Sequence, residues 1–308
     1  MNLKQLEYFV SVAELGSFSK AALALDMAQP ALSRQVRALE VELRDTLLVR
    51  NGRGVTLTEA GQRLFEHSVV ILNQVAQARE DMGASRDEPV GRITIGLPPT
   101  IGRQLTLPLI DGFQRQLPKA RLAIVEGLSS HVAEWLASGR IDLGLVYNPE
   151  AAAHLSLQPL LEEPLCLVTS AKGEAGRTRG TVPMKSLARY PLVLPERQHV
   201  IRRLIESQAT LAGLTLNIAW EVSSIAAIID LVCAGYGHAV LNASAVLASG
   251  RADELVARPI VEPAVISVLC LATPAHKRAT PLQRQATRLL SELVRSLPQG
   301  NAAQSQPG

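Results

Sequence analysis

Residues 17–43 read SFSKAALALDMAQPALSRQVRALEVEL. The run Ala21, Ala22 and Leu25 has helical spacing, and Ser17 or Ser19 can cap the helix that carries it. A second helix is predicted from Gln29 to Leu43, with Pro30 in its first turn and Leu32, Val36, Leu39 and Leu43 on its inner face. Its leading end offers Gln29, Ser33, Arg34 and Arg37, while the acids Glu40, Glu42 and Asp45 gather at the far end. A short helix, a tight bend and a longer helix with a polar, cationic tip are what an element entering a DNA major groove needs. Glutamine pairs bidentately with adenine and arginine with guanine, so these residue types suit base reading.

The flanks extend the unit. Leu3, Leu6, Phe9, Val10 and Ala13 predict a preceding helix that stops at Gly16. After it all, LLVRNGRGVTLT at 47–58 alternates around Asn51-Gly52, a hairpin signature, and carries Arg50 and Arg53. Across 27–37 and 46–56 there are four arginines and no acids. From Thr58 a long helix is predicted up to the segment SRDEPVG at 85–91, which reads as a hinge. Leu64, Ile71, Val75, Ala78 and Met82 form an a/d stripe on it, with Ser68 the polar exception, and such a stripe calls for a partner helix.

Beyond the hinge, strand-like runs at 92–97, 122–127, 141–147, 165–170, 191–195, 217–222, 238–243 and 265–272 alternate with helical stretches. That alternation predicts an α/β unit with largely parallel sheets, and its size favours two lobes around a cleft. Open α/β sheets bind ligands past the C-terminal ends of their strands. Thr100 in LPPTIG, Ser129 and Ser130 in GLSSH, Tyr147, then Arg197 and His199 in ERQHV, and Ser223 and Ser224 in VSSI all stand there. An arginine and a histidine on one side suggest an anionic ligand.

The composition limits the alternatives. A chain of 308 residues with 47% hydrophobic and 19% charged residues has ample core for more than one domain. Its net charge of +3 is too small to mark a nucleic-acid binder, so any basic surface is local. Cys166, Cys233 and Cys270 lie far apart without metal-ligand spacing and read as free thiols in a reducing cytoplasm. No signal peptide, membrane span, G-x-S-x-G elbow, H-E-x-x-H or P-loop appears, and the G-x-G of CAGYGHA lacks a third glycine. The chain reads as no enzyme and needs no cofactor or metal. A solute-binding protein is disfavoured by the DNA-reading head.

Residues 1–65 resemble the winged helix-turn-helix of LysR-type transcriptional regulators, through LKQLEYFVSVAELGSFSKAALAL, AQPALSRQVRALEVEL and LLVRNGRGVTLTEAG. The resemblance implies a winged helix-turn-helix domain at 1–58, a linker and dimerisation helix at 59–87 and an effector-binding domain at 88–300 like a periplasmic binding protein. Lobe I would cover 92–165 and 268–297, lobe II 166–267, and residues 301–308 would be a disordered tail. By the same resemblance Gln29, Pro30, Ser33, Arg34, Arg50 and Arg53 match DNA-contact positions, whereas Ala28 departs from the usual serine or threonine. It further implies promoter DNA, a small-molecule effector, RNA polymerase and a second or fourth copy of the chain as partners, with no membrane. AQPALS, RGVT and RITIGL look closest to the branch of nitrogen-assimilation and aromatic-catabolism regulators.

Overall fold

The computed structural model describes residues 1–51, 54–83, 89–172, 178–275 and 279–298, and the chain divides into two compact units, Met1–Asp87 with Ser138–Arg140 and the remainder from Glu88. The predicted 301–308 tail and most of the 85–91 hinge lie outside the described residues. In the first unit, helix α1 (Leu3–Leu15) opens with a reciprocal cap: the Asn2 side chain accepts from the Gln5 amide at 2.9 Å and the Gln5 side chain accepts from the Asn2 amide at 3.0 Å. It ends at Gly16, whose φ of +59° is the left-handed stop that glycine takes without strain. Helix α2 (Phe18–Ala24) starts on Ser17, whose Oγ accepts from the Lys20 amide. Helix α3 (Gln29–Leu43) follows a four-residue bend and has Ala28 at its cap, with no side-chain hydrogen bond there.

Leu6, Phe9, Val12, Ala21, Leu32, Val36 and Leu39 meet in one buried cluster. Ala21 and Ala22 of α2 are buried in this cluster, where α1, α2 and α3 all touch one another. Strands β1 (Leu48–Asn51) and β2 (Gly54–Leu57) form the expected antiparallel hairpin, Asn51 facing Gly54. Gly54 has φ of +137°, and a Cβ there would stand 2.6 Å from the Gly16 carbonyl oxygen, so the hairpin sits on the end of α1 only because this residue lacks a side chain. Glu40 accepts from the amides of Leu47 and Leu48 at 2.9 and 3.2 Å, fixing the hairpin to α3.

Helix α4 (Glu59–Gly83) begins as part of this core. Leu64, Phe65 and Leu72 pack against the cluster. Ser68 is fully buried, and its hydroxyl donates back to the Leu64 carbonyl at 2.7 Å. The polar exception of the stripe therefore faces the head's own core, where an i−4 bond satisfies it.

The second unit contains β3 (Gly91–Leu97), α5 (Pro99–Gln116), β4 (Ala120–Glu126), α6 (Ser129–Ala137), β5 (Leu143–Tyr147), β6 (Leu155–Ser170), β7 (Val182–Pro183), β8 (Leu192–Leu194), α7 (Val200–Leu211), β9 (Ile218–Glu221), α8 (Ile225–Cys233), β10 (His238–Asn242), α9 (Ala243–Ala248), β11 (Leu255–Val261), β12 (Ile266–Pro274) and α10 (Pro281–Arg295). The strand order is β4-β3-β5-β12-β6-β10-β8-β9, with β11 paired to β6 and to β7. Each lobe has its own hydrophobic core, the first around β3, β5, α5 and α10 with a separate smaller cluster where α6 packs on β5 and β12, the second around β8, β10, α7 and α8. These are the two expected lobes.

The sheets are less parallel than the alternating pattern suggests. The outer strands pair in parallel (β3 with β4 and β5, β8 with β9 and β10), but β6 and β12 run antiparallel to each other and to their flanking neighbours. β6 crosses from the first sheet to the second at Pro164–Leu165, and the chain returns at Val265–Ile266. The first half of β6 and all of β11 escape the sequence pattern because Pro159, Glu162, Glu163, Pro164, Arg258 and Pro259 break up its apolar runs. Pro159 is tolerated because the register with β12 shifts at that point, and a bulge needs no amide from it.

Candidate functional sites: a DNA-reading surface and an interlobe cleft

On the first unit, α3 leaves Pro30, Arg34 and Arg37 exposed, with Gln29 and Ser33 half-buried beside them. Its first turn has no side-chain cap, and Pro30 has no N–H to satisfy, so the helix start presents open backbone to an anion. Arg50 reaches from β1 onto this surface. Its Nη2 donates to Ser33 Oγ at 3.0 Å, and its guanidinium lies 4.6 Å from the centre of the Phe18 ring. Arg50 thus gives the hairpin a second side-chain link to α3 beside that of Glu40, an arrangement that residue spacing alone does not disclose. Arg53 lies outside the described residues.

The proposed dimer stripe divides. Leu64 belongs to the edge of the head core, Val75 is half-buried, and Ile71 and Ala78 are exposed; the Met82 side chain lies outside the described residues. Of these positions Ile71 is the open large hydrophobe, 37% exposed.

Within the second unit, a cavity of about 370 Å³ opens between the lobes. Thr100, Ser129, Ser130, Tyr147, His199, Ser223 and Ser224 all line it, whereas Arg197 is exposed elsewhere. Residues at the starts of α5, α6, α7 and α8 line it, each helix following a strand, although Pro99 brings no N–H and the Ile201 and Ala227 amides are taken by the His199 and Ser224 caps. Ser129 Oγ accepts from the Tyr147 amide at 3.0 Å, and Ser224 caps α8 by accepting from the Ala227 amide. These hydroxyls shape the cleft as much as they line it.

Tyr147 is almost completely buried. Burial and the charge of nearby Glu163 push its phenol far above the ordinary range, with a bond to Ser244 opposing, so it stays a neutral O–H group. Glu163 is itself buried and accepts from Asn242 Nδ2 at 3.2 Å and Ser244 Oγ at 2.9 Å. Asn242 and Ser244 line the cavity, so a carboxylate behind the wall orients two of its polar groups. The sequence reading missed both, although Asn242 ends β10 as Tyr147 ends β5.

His199 is the N-cap of α7. Its Nδ1 accepts from the Ile201 amide at 3.2 Å, which places the ring proton on Nε2, and burial lowers its pKa to about 4. It is a neutral donor at neutral pH. The cations at the cleft are Arg103, which donates to the Ser249 carbonyl at 3.5 Å, and Arg203, paired with Glu150 at 3.3 Å. Both stand about one turn or less inside a helix, where the sequence pattern gives an arginine no distinction from a solvated one.

Two family models account for nearly all of the chain. The bacterial regulatory helix-turn-helix of the lysR family matches residues 3–62, and the LysR substrate binding domain matches residues 86–295. The chain belongs to the LysR family. It is 33% identical over 296 residues to the nitrogen assimilation regulatory protein nac of Klebsiella aerogenes, covering 96% of this chain and 95% of that one. To the DNA-binding transcriptional dual regulator OxyR of Escherichia coli K12 it is 30% identical over 304 residues, covering 98% and 97%. Among solved structures, a full-length OxyR variant from Pseudomonas aeruginosa aligns over 100% of this chain and 99% of that one, with a TM-score of 0.72 at 26% identity. CbnR in complex with its target DNA shares the fold, with a TM-score of 0.71 at 24% identity over 95% and 100% of the two chains. This LysR-type transcriptional regulator thus joins a DNA-binding head to an effector-binding domain, and it is not an enzyme.

The His199 assignment has a pH signature. In the unfolded chain the imidazole titrates near ~6.5, whereas the folded value is about 4, so between these limits unfolding takes up a proton. The contribution is intact above pH ~6.5 and is lost as pH falls toward the folded value. His199→Asn keeps a capping acceptor and removes the titration. Its melting temperature, followed from pH 7 to pH 4.5, should fall less steeply than the wild type's; equal slopes would rule out the neutral cap.

Proposed function

We propose that this regulator reads promoter DNA with Gln29, Pro30, Ser33, Arg34 and Arg37 at the tip of α3, while Arg50 and Arg53 grip the flanking backbone or minor groove. The observation that carries this reading is that an uncapped helix start, two exposed arginines of α3 and the tethered Arg50 lie together. Two copies of the chain pair along α4 through Ile71, Val75, Ala78 and Met82, placing two reading helices on two half-sites, with a dimer of dimers as the full assembly. Leu64 contributes chiefly by holding α4 to the head.

The cleft takes a small organic anion as effector. Helix starts, the neutral His199 donor and two rim arginines favour a carboxylate, while Tyr147 closes the wall and Ile201, Ile225 and Ile229 give its body an apolar bed. The protein works in the cytoplasm. Thr100, Ser129, Ser130 and Ser223 supply the remaining contacts. Binding changes how the lobes meet, hence the spacing of reading heads and their contact with RNA polymerase; the effector must favour one arrangement in free energy for this to act as a switch. Thiol-based peroxide sensing is disfavoured despite the OxyR likeness. Burial raises all three thiols, Cys166 up to about 12, so none is poised as a reactive thiolate.

Arginine substitutions separate reading from gripping. On a duplex selected by the wild-type protein from a random pool, Arg34→Ala should weaken binding by about 1–3 kcal/mol and leave random DNA nearly unaffected. Arg53→Ala should weaken both duplexes alike and reduce the salt slope by about one. Identical patterns from the two variants would refute the division of roles.

Ile71→Asp tests the pairing of α4, because the exposed side chain contributes little to the head's own core. Analytical ultracentrifugation should show a smaller species with unchanged helix content; an unaltered sedimentation coefficient would exclude Ile71 from the contact. For the cleft, full-length protein screened against small mono- and dicarboxylates by thermal shift should show a saturable rise with at least one acid. Arg103→Met and Ser130→Ala should reduce it, and equal responses in wild type and both variants would place the acid elsewhere.

A further inference from the structure

The second lobe buries a charge for which the established function has no use. Arg258 lies on β11, only 6% exposed, and no carboxylate among the described residues pairs with it. Its one bond is a donation from Nη2 to the Thr181 carbonyl at 3.4 Å, and its Nε has no partner. A guanidinium removed from water without a counter-charge is among the costliest groups a core can hold.

Two further orphans lie on the same face of the same sheet. Thr169 on β6 is fully buried and its hydroxyl has no partner; His238 at the start of β10 has a buried Nδ1 without one. The register brings them together. Val256 pairs with Thr169 and Arg258 with Leu167 on one side of β6, while Ala239 pairs with Val168 on the other. One step further sets His238 opposite Thr169. With side chains alternating between faces, Arg258, Thr169 and His238 share one face, Thr169 in the middle strand and the other two flanking it. The edge of the Tyr190 ring closes over His238 at 5.0 Å. Burial and the charge of Arg258 both lower the His238 pKa, which keeps the ring neutral and leaves Arg258 as the cluster's cation.

We propose that Arg258, Thr169 and His238 form a binding site for a small inorganic anion inside the second lobe, separate from the effector cleft. Arg258 Nε–H, Thr169 Oγ–H and His238 Nδ1–H are three donors on neighbouring strands, and an anion accepts from all of them while neutralising the guanidinium. A buried water could serve the hydroxyl and the ring, but it leaves the charge uncompensated. The cleft is lined from the other end of β10, at Asn242, so the two sites lie at opposite ends of one strand. Because β6 runs on from the crossing at Pro164 to Thr169, an anion here braces the strand that joins the lobes.

The test uses full-length protein and the anions themselves. The melting temperature of the effector unit is measured in sodium chloride, sulfate or phosphate against sodium gluconate at matched ionic strength. At least one small anion should raise it saturably, by about 5 °C when well above its Kd. Arg258→Met and Thr169→Val should lose that increment while keeping the general salt response. Thr169→Val should also be no less stable than wild type in gluconate, since it removes an unpartnered hydroxyl, and this variant decides the matter if Arg258→Met fails to fold. Absence of a saturable effect in wild type, or the same effect in Thr169→Val, would overturn the proposal.

Discussion

The antiparallel pairing of β6 with β12 is the constraint on which the effector domain depends. β6 alone enters both sheets, pairing with β12 up to Pro164 and with β10 and β11 from Leu165 onward, and the chain returns to the first sheet at the start of β12, at Val265–Ile266. Every lobe is then a small parallel sheet completed by an antiparallel strand it shares with its neighbour. The cleft is what remains between two sheets hung from one ladder. Its walls are helix starts because parallel strands of both halves end on that side, and right-handed crossovers put the next helix immediately after each strand.

The same constraint organises the polar groups of the cleft. Glu163 sits on β6 one residue before the crossing, where it accepts from Asn242 and Ser244 of the second lobe and raises the Tyr147 phenol of the first. A buried carboxylate at a hinge is stabilised only with its donors in place, so its surroundings tie hinge geometry to the arrangement of the pocket wall. His199 and Ser224 work similarly on a smaller scale: each ends a loop, caps a helix and lines the cavity.

Much of this was legible in the sequence. Helices α1 and α3 and the hairpin followed from periodicity, glycine stops and the Asn-Gly pair, since local chemistry decides each of them. The cleft residues Thr100, Ser129, Tyr147, His199 and Ser223 followed from standing after strands, a rule of topology rather than of residue type. What failed was non-local. The first half of β6 looked unlike a strand, because the bulge that accommodates Pro159 exists only in the partner strand's register. Arg103, Arg203, Asn242 and Ser244 were missed because their roles depend on a second lobe coming opposite. Ser68 seemed a flaw in an a/d stripe; it points into the head, and an i−4 carbonyl satisfies it.

Ser68, together with Leu64, Phe65 and Leu72, makes the first half of α4 a root embedded in the head. A helix of 25 residues rises roughly 37 Å at about 1.5 Å per residue. Anchored at one end, it acts as a rigid arm, and a tilt of only about 5° at the root displaces its tip by roughly 3 Å. That is close to the rise of one base pair of DNA. Under the proposed pairing of α4, the precision with which two heads are spaced on a promoter would follow from how tightly one buried serine and its neighbours seat the helix.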